Sequence, residues 1–79
     1  MSHALVSGNI IGKNIEKFRR KSGLSQVELA AAMCVEKKIN MQRTTISQIE
    51  CGTRAIKDKE ILALCQLLDV TPNDLFGYK

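Results

Sequence analysis

The sequence predicts an all-α fold, a compact bundle of about five helices, and three observations carry that reading. Apolar residues recur at spacings of three and four in separate runs, as in Ile11, Ile15 and Phe18 or Ile61, Leu64, Cys65 and Leu68. The stretches "SQVE" at 25–28 and "TPND" at 71–74 carry the reciprocal capping pattern that opens a helix. Aromatic content is 4% with no tryptophan, and the Ile, Leu, Val and Ala that remain pack helix on helix more readily than they fill a β-sandwich.

The opening residues, "MSHALVSG", are small, polar and aperiodic, and are expected to form a flexible arm over 1–8 ahead of one domain over 9–79. His3 is then expected in solvent. The first helix is expected near 10–22, with Lys13, Lys17, Arg20 and Lys21 between its apolar residues. Gly23 and the apolar Leu24 after it form a stop signal. Ser25 caps a second helix from Gln26, and Leu29, Ala30, Met33 and Cys34 continue it to about Lys37. In "KINMQ", 38–42, Ile39 and Met41 alternate with polar residues, the pattern of a short extended connection with two side chains turned inward.

A third helix follows from Gln42 or Arg43 to Cys51, with Gly52 as its left-handed cap. A helix this short does not survive alone in water, so Ile46 and Ile49 must anchor it to a core. The fourth carries Ile61, Leu64, Cys65 and Leu68, with Glu60 in its first turn complementing the dipole. Thr71 caps the fifth, Pro72 takes its first position, and Leu75 and Phe76 are its apolar residues.

A chain of 79 residues makes one small domain that buries only about 60% of its unfolded surface, which favours help from a partner subunit. Net charge +4 and a pI near 9.2 permit a polyanionic partner without demanding one. Cys34, Cys51 and Cys65 are an odd number at long spacings, without the CxxC pairs of a zinc site, so reduced thiols and no metal are expected. No apolar run reaches the roughly 18 residues of a membrane span, and the start lacks the pattern of a signal peptide, so the expected compartment is the cytoplasm. With one histidine in the tail and no nucleophile, base and orienter set, no enzyme, cofactor or small-molecule ligand is indicated.

Four stretches in order, "GLSQVELA" at 23–30, "TISQIE" at 45–50, Gly52 with Arg54, and "LLDVTPNDLF" at 67–76, resemble the Cro and repressor-type helix-turn-helix family, also called the xenobiotic-response-element family. The resemblance covers about residues 10–76 and departs at one place: about six extra residues between Ala30 and Ile46 lengthen the second helix and replace the tight turn with "KINMQ".

The resemblance implies a lambda-repressor-like DNA-binding domain and a sequence-specific regulator of transcription, a repressor, that binds double-stranded DNA as a homodimer. The third helix would enter the major groove, with Gln42, Arg43, Thr44 and Gln48 toward the bases. Arg pairs with guanine through two donors, Gln with adenine, and the Thr methyl meets that of thymine. Read without the resemblance, the same side chains are a solvated helix face, and Gln42 is equally a capping residue.

The resemblance likewise sets Gln26, Thr53, Arg54 and Lys57 at phosphates and joins Arg19 and Glu50 in an ion pair. Lys37 and Lys38 read as solvated charges and Cys65 and Cys34 as packing residues. A protein-interaction module, antitoxin-like or bridging, is the alternative function. For the dimer surface the candidate is "NDLFGYK", with Phe76 equally able to close the monomer's own core.

Overall fold

Each amphipathic run of the sequence becomes one helix, and every helix gives the core at least one fully buried side chain. In order these are α1 (His3–Lys21), α2 (Gln26–Lys37), α3 (Arg43–Cys51), α4 (Asp58–Leu68) and α5 (Pro72–Phe76). The computed structural model describes the backbone of residues 3–77 and the side chains of residues 10–77, and among the described residues there is no strand. Ile15, Leu29, Met33, Ile46, Leu64 and Leu75 are the largest side chains wholly removed from solvent. α1 packs on α3 and α5, and α2 packs on α3 and α4, so α3 is held between the first two helices.

The capping boxes form as the sequence predicts. Ser25 Oγ accepts from the Glu28 amide at 3.0 Å while the Glu28 carboxylate accepts from the Ser25 amide at 2.8 Å. Thr71 and Asp74 make the same exchange at 3.2 and 2.9 Å. In "KINMQ", Met41 is buried and Ile39 packs against the core, as expected of an extended connection. The break itself is made by Lys38, which takes the left-handed conformation with φ 59°, a role usually left to glycine.

Two expectations change. α1 begins at His3 and not near 10, so the backbone of residues 3–8 is helical where an arm is expected. No proline interrupts this stretch, and once a helix is anchored on a core each added residue costs little compared with nucleation. The side chain of His3 is outside the described residues, as is Tyr78. Phe76, for its part, does not close the core: it is 37% exposed, and Leu75 beside it is the buried residue.

No described helix is long and apolar enough to cross a membrane.

Candidate nucleic-acid interface

α3 is nine residues long and so spans about 13 Å at 1.5 Å per residue, and with its side chains an α-helix is about 10–12 Å across, which fits a groove about 12 Å wide. Ile46 and Ile49 are buried on one side. Gln42, Arg43, Thr44 and Gln48 are exposed. The Gln42 side chain makes no capping bond, although its backbone amide donates to Thr45 Oγ1 at 3.4 Å, so the competing cap role does not consume its amide. The four side chains expected at bases are thus all open to solvent.

The rear of α3 is held firmly. Gly12 of α1 lies so close that a Cβ built there would sit 2.4 Å from the Ile49 carbonyl oxygen and 2.8 Å from that of Glu50. Only a glycine allows this approach, and the sequence offers no local sign of it. Three residues of further grip follow. Arg19 Nε donates to Glu50 Oε2 at 2.6 Å and Nη2 to Oε1 at 3.2 Å, while Nη1 donates to the Leu24 carbonyl at 2.8 Å. Both partners are buried, and the hydrogen bond to Glu50, against the cost of burial, raises the Arg19 pKa above its ordinary value. One guanidinium therefore ties α1, the α1–α2 turn and the end of α3 together.

Gln26, expected at phosphate, is drawn into this cluster. Its Nε2 donates to Glu50 Oε1 at 3.0 Å, and its Oε1 accepts from Arg43 Nη1 at 3.3 Å. Thr53 turns back on the helix, its amide and hydroxyl both donating to the Gln48 carbonyl at 3.0 and 3.3 Å.

Arg54, also expected at phosphate, is not a free cation. Its two terminal nitrogens meet the two oxygens of Glu60 at 3.0 Å each, and Nη1 also donates to the Ala55 carbonyl. Glu60 is buried at 4% exposure and further accepts from the Lys57 amide at 2.9 Å. Burial alone would raise the Glu60 carboxyl, but the Arg54 guanidinium, the Lys57 amide and the nearby positive charges together hold it below the usual carboxylate range. This pair fixes the loop after α3. The sequence reading saw Glu60 only as a dipole complement, because its partner lies six residues back across a loop. The Lys57 side chain is exposed. Among the described residues no cluster of three or more His, Cys, Asp or Glu could hold a metal.

Five helices, a second and third helix joined by a short connection, and an open polar face on the third define a DNA-binding regulator of the helix-turn-helix class. A helix-turn-helix family profile matches residues 15–75, and the chain belongs to that family, in its Cro/repressor or xenobiotic-response-element branch. The structure is similar to that of the restriction-modification controller protein C.AhdI from Aeromonas hydrophila, with a TM-score of 0.69 and 26% identity, covering 89% of this chain and 97% of that one. In sequence it is 31% identical over 68 residues to the antitoxin PezA of Streptococcus pneumoniae serotype 4. That match takes in 86% of this chain and 39% of the antitoxin, so the chain spans well under half the length of that relative.

Proposed function

We propose that the protein is a sequence-specific repressor that reads the major groove with α3 and binds as a homodimer. The observation that carries this reading is the contrast within α3: its rear is clamped by Gly12 and Glu50, while Gln42, Thr44 and Gln48 expose side chains with no hydrogen bond to the described protein. Arg43 reads guanine, Gln42 and Gln48 offer amides to adenine, and Thr44 meets thymine. Lys57, the Thr53 hydroxyl once it turns from the Gln48 carbonyl, the remaining amide proton of Gln26 and the guanidinium protons that Arg54 spends on neither Glu60 nor Ala55 contact phosphate and supply the salt-sensitive part of the affinity.

One helix reads only a few base pairs, so a second copy lengthens the site, with half-sites about 34 Å apart. The exposed Ile10 and Phe76 support the α1–α5 end as the surface where two copies meet. A second reading, a module that chiefly holds a partner protein, is favoured by the similarity to an antitoxin and by the exposed Val27, Val35 and Leu62.

Selection of duplexes from a random pool, followed by footprinting and sedimentation of the bound complex, tests both. A palindromic site with two chains bound is the expected result. Binding that selects no sequence and ignores salt would favour the partner-protein reading, and one protected half-site with one chain would remove the dimer alone.

A further inference from the structure

The C-terminal end of α2, the start of the connection after it and α4 enclose a groove of about 400 Å3, and none of the residues proposed to touch DNA lines it. Its apolar lining is Ile39, Leu62 and Ala63, and Leu62 is 58% exposed, so a large apolar side chain stands there in water. Its charged lining is all of one sign. Lys37, Lys38 and Lys59 are there without an acid, and none of the three forms a salt bridge among the described residues. Lys37 Nζ donates instead to Gln66 Oε1 on α4, a neutral partner that leaves the positive charge uncancelled.

Helix stability explains two of these cations and not the third. Lys37 in the last turn of α2 and Lys38 at its cap complement the negative end of the helix dipole. Lys59 is the second residue of α4, where the positive end disfavours a cation, and yet it lines the same groove. Gathering like charges around an exposed leucine burdens the free protein twice, by repulsion and by apolar surface left in water. The wall that brings them together is firmly built: Lys38 takes the left-handed conformation, and the Lys38 and Ile39 amides both donate to the Met33 carbonyl, the latter at 3.0 Å. This wall lies in the segment that lengthens the chain relative to the compact family pattern, so the groove goes with that departure.

We propose that the groove is a docking site for a short acidic segment of a partner protein, which seats an apolar side chain against Leu62, Ala63 and Ile39 and sets carboxylates opposite Lys37, Lys38 and Lys59. Charge complementarity chooses the occupant, since only an anionic partner relieves the repulsion among the three lysines. The exposed leucine argues for protein over nucleic acid, because a phosphate backbone has no use for an apolar seat. A small molecule is a poorer fit, since such sites enclose most of their ligand and this groove is wide open to solvent.

The test starts from a displayed library of random peptides, selected on the full chain and counter-selected on Leu62→Ser; the enriched peptides are then synthesised and titrated onto wild type, Leu62→Ser and Lys59→Glu. Both substitutions fall at exposed positions, and a glutamate in its first turn suits α4 better than a lysine, so the fold is retained, as thermal unfolding verifies. We expect the enriched peptides to carry Asp or Glu around an apolar residue, to shift the backbone amide resonances of Ile39, Leu62 and Ala63, and to bind Lys59→Glu on the order of tenfold more weakly and with a shallower dependence on salt. Peptides without acids, shifts confined to other residues, or equal affinity for Lys59→Glu would overturn the proposal, as would a library that yields no binder. Duplex binding by the same variants separates the other polyanion: a clear loss of DNA affinity in Lys59→Glu would make the groove part of a phosphate-contacting surface and likewise overturn it. Peptide binding here requires no sequence selection by α3, so the two assignments stand or fall separately.

Discussion

The two ends of α3 are held by different physics. At the rear, backbone meets backbone where Gly12 lacks a side chain, and the Glu50 carboxylate takes charge-assisted bonds from Arg19 in a buried setting, with a third bond from Gln26. At the front, the extended connection is fastened by a thiol: the Met41 amide donates to Cys34 Sγ at 3.3 Å, and Cys34 Sγ donates back to the Met41 carbonyl at 3.3 Å. Charge-assisted bonds are roughly twice as strong as neutral ones, and sulfur is weaker still as donor or acceptor. The helix is therefore anchored most firmly at its C-terminal half and held more weakly at its N-terminal end, where Gln42 and Thr44 stand beside Arg43 with its one bond to Gln26. Under the proposed function, such an arrangement sets α3 against the scaffold while leaving its leading residues room to settle into a groove.

The largest effect should come from the rear. Glu50→Ala strands the Arg19 guanidinium in a buried site and should destabilise the fold by about 3 to 4 kcal/mol, because removal of one partner leaves an uncompensated charge. Arg19→Ala should cost a similar amount, and the double variant should cost clearly less than the sum. Urea unfolding of the four proteins decides it: additivity within about 0.5 kcal/mol would mean that the rear is not held by this pair. Gly12→Ala ranks next, at about 2 to 3 kcal/mol, since a methyl there meets two carbonyl oxygens of α3 rather than a side chain that can step aside. A loss under about 0.5 kcal/mol would show that α1 and α3 separate easily and would undo the contrast between the two ends.

These two constraints also mark where sequence reading stops. Ser25 with Glu28, and Thr71 with Asp74, announce α2 and α5 because a capping box is a local exchange three residues long. The end of α3 is legible from Gly52, whereas α2 is ended by the left-handed Lys38, a residue type that gives no such sign, and the family register supplies Arg19 with Glu50. Gly12 is silent, since its role is set by Ile49 and Glu50, far along the chain, and a glycine inside an amphipathic run carries no sign of what lies opposite. The start of α1 is hidden because "MSHALVSG" has no apolar period of its own and carries Ser7 and Gly8, both poor helix formers. Arg54 and Gln26 are legible as polar residues close to α3 in sequence or register, but their partners Glu60, Glu50 and Arg43 are assigned by tertiary geometry.

Smaller in size is the pair that secures the loop after α3. The Glu60 carboxyl titrates below its usual range in the folded chain, so its stabilisation is fully present above the unfolded carboxylate pKa of ~4.3 and is lost as pH falls through the lower folded value. Glu60→Gln should remove roughly 1 to 2 kcal/mol at neutral pH and flatten the acid limb of the stability curve below pH ~4. Unfolding midpoints measured at a series of pH values provide the check. Parallel curves for variant and wild type would mean that Arg54 gains little from Glu60 in the folded state, and that its guanidinium is freer for phosphate than the geometry implies.

The smallest expected change sharpens the comparison most. Cys34→Ala removes both sulfur bonds to Met41 and should cost only about 0.5 to 1 kcal/mol, because Cys34 is half-buried and water can take over the freed amide and carbonyl. Global stability will therefore barely register it, and the informative measurement is amide hydrogen exchange. The Met41 amide, which donates to Sγ, should exchange several-fold faster in the variant, and Arg43 and Thr44 should follow as the first turn of α3 loses its tether. The amides near Ile49 and Glu50 should keep their protection, since their anchors on α1 are untouched. If instead protection falls equally along all of α3, the helix opens as one unit, and the front is as much a part of the clamp as the rear. If only the front loosens, the connection that lengthens this chain relative to the compact family pattern is what gives α3 its adjustable end, and Cys34 is the residue that limits how far it moves.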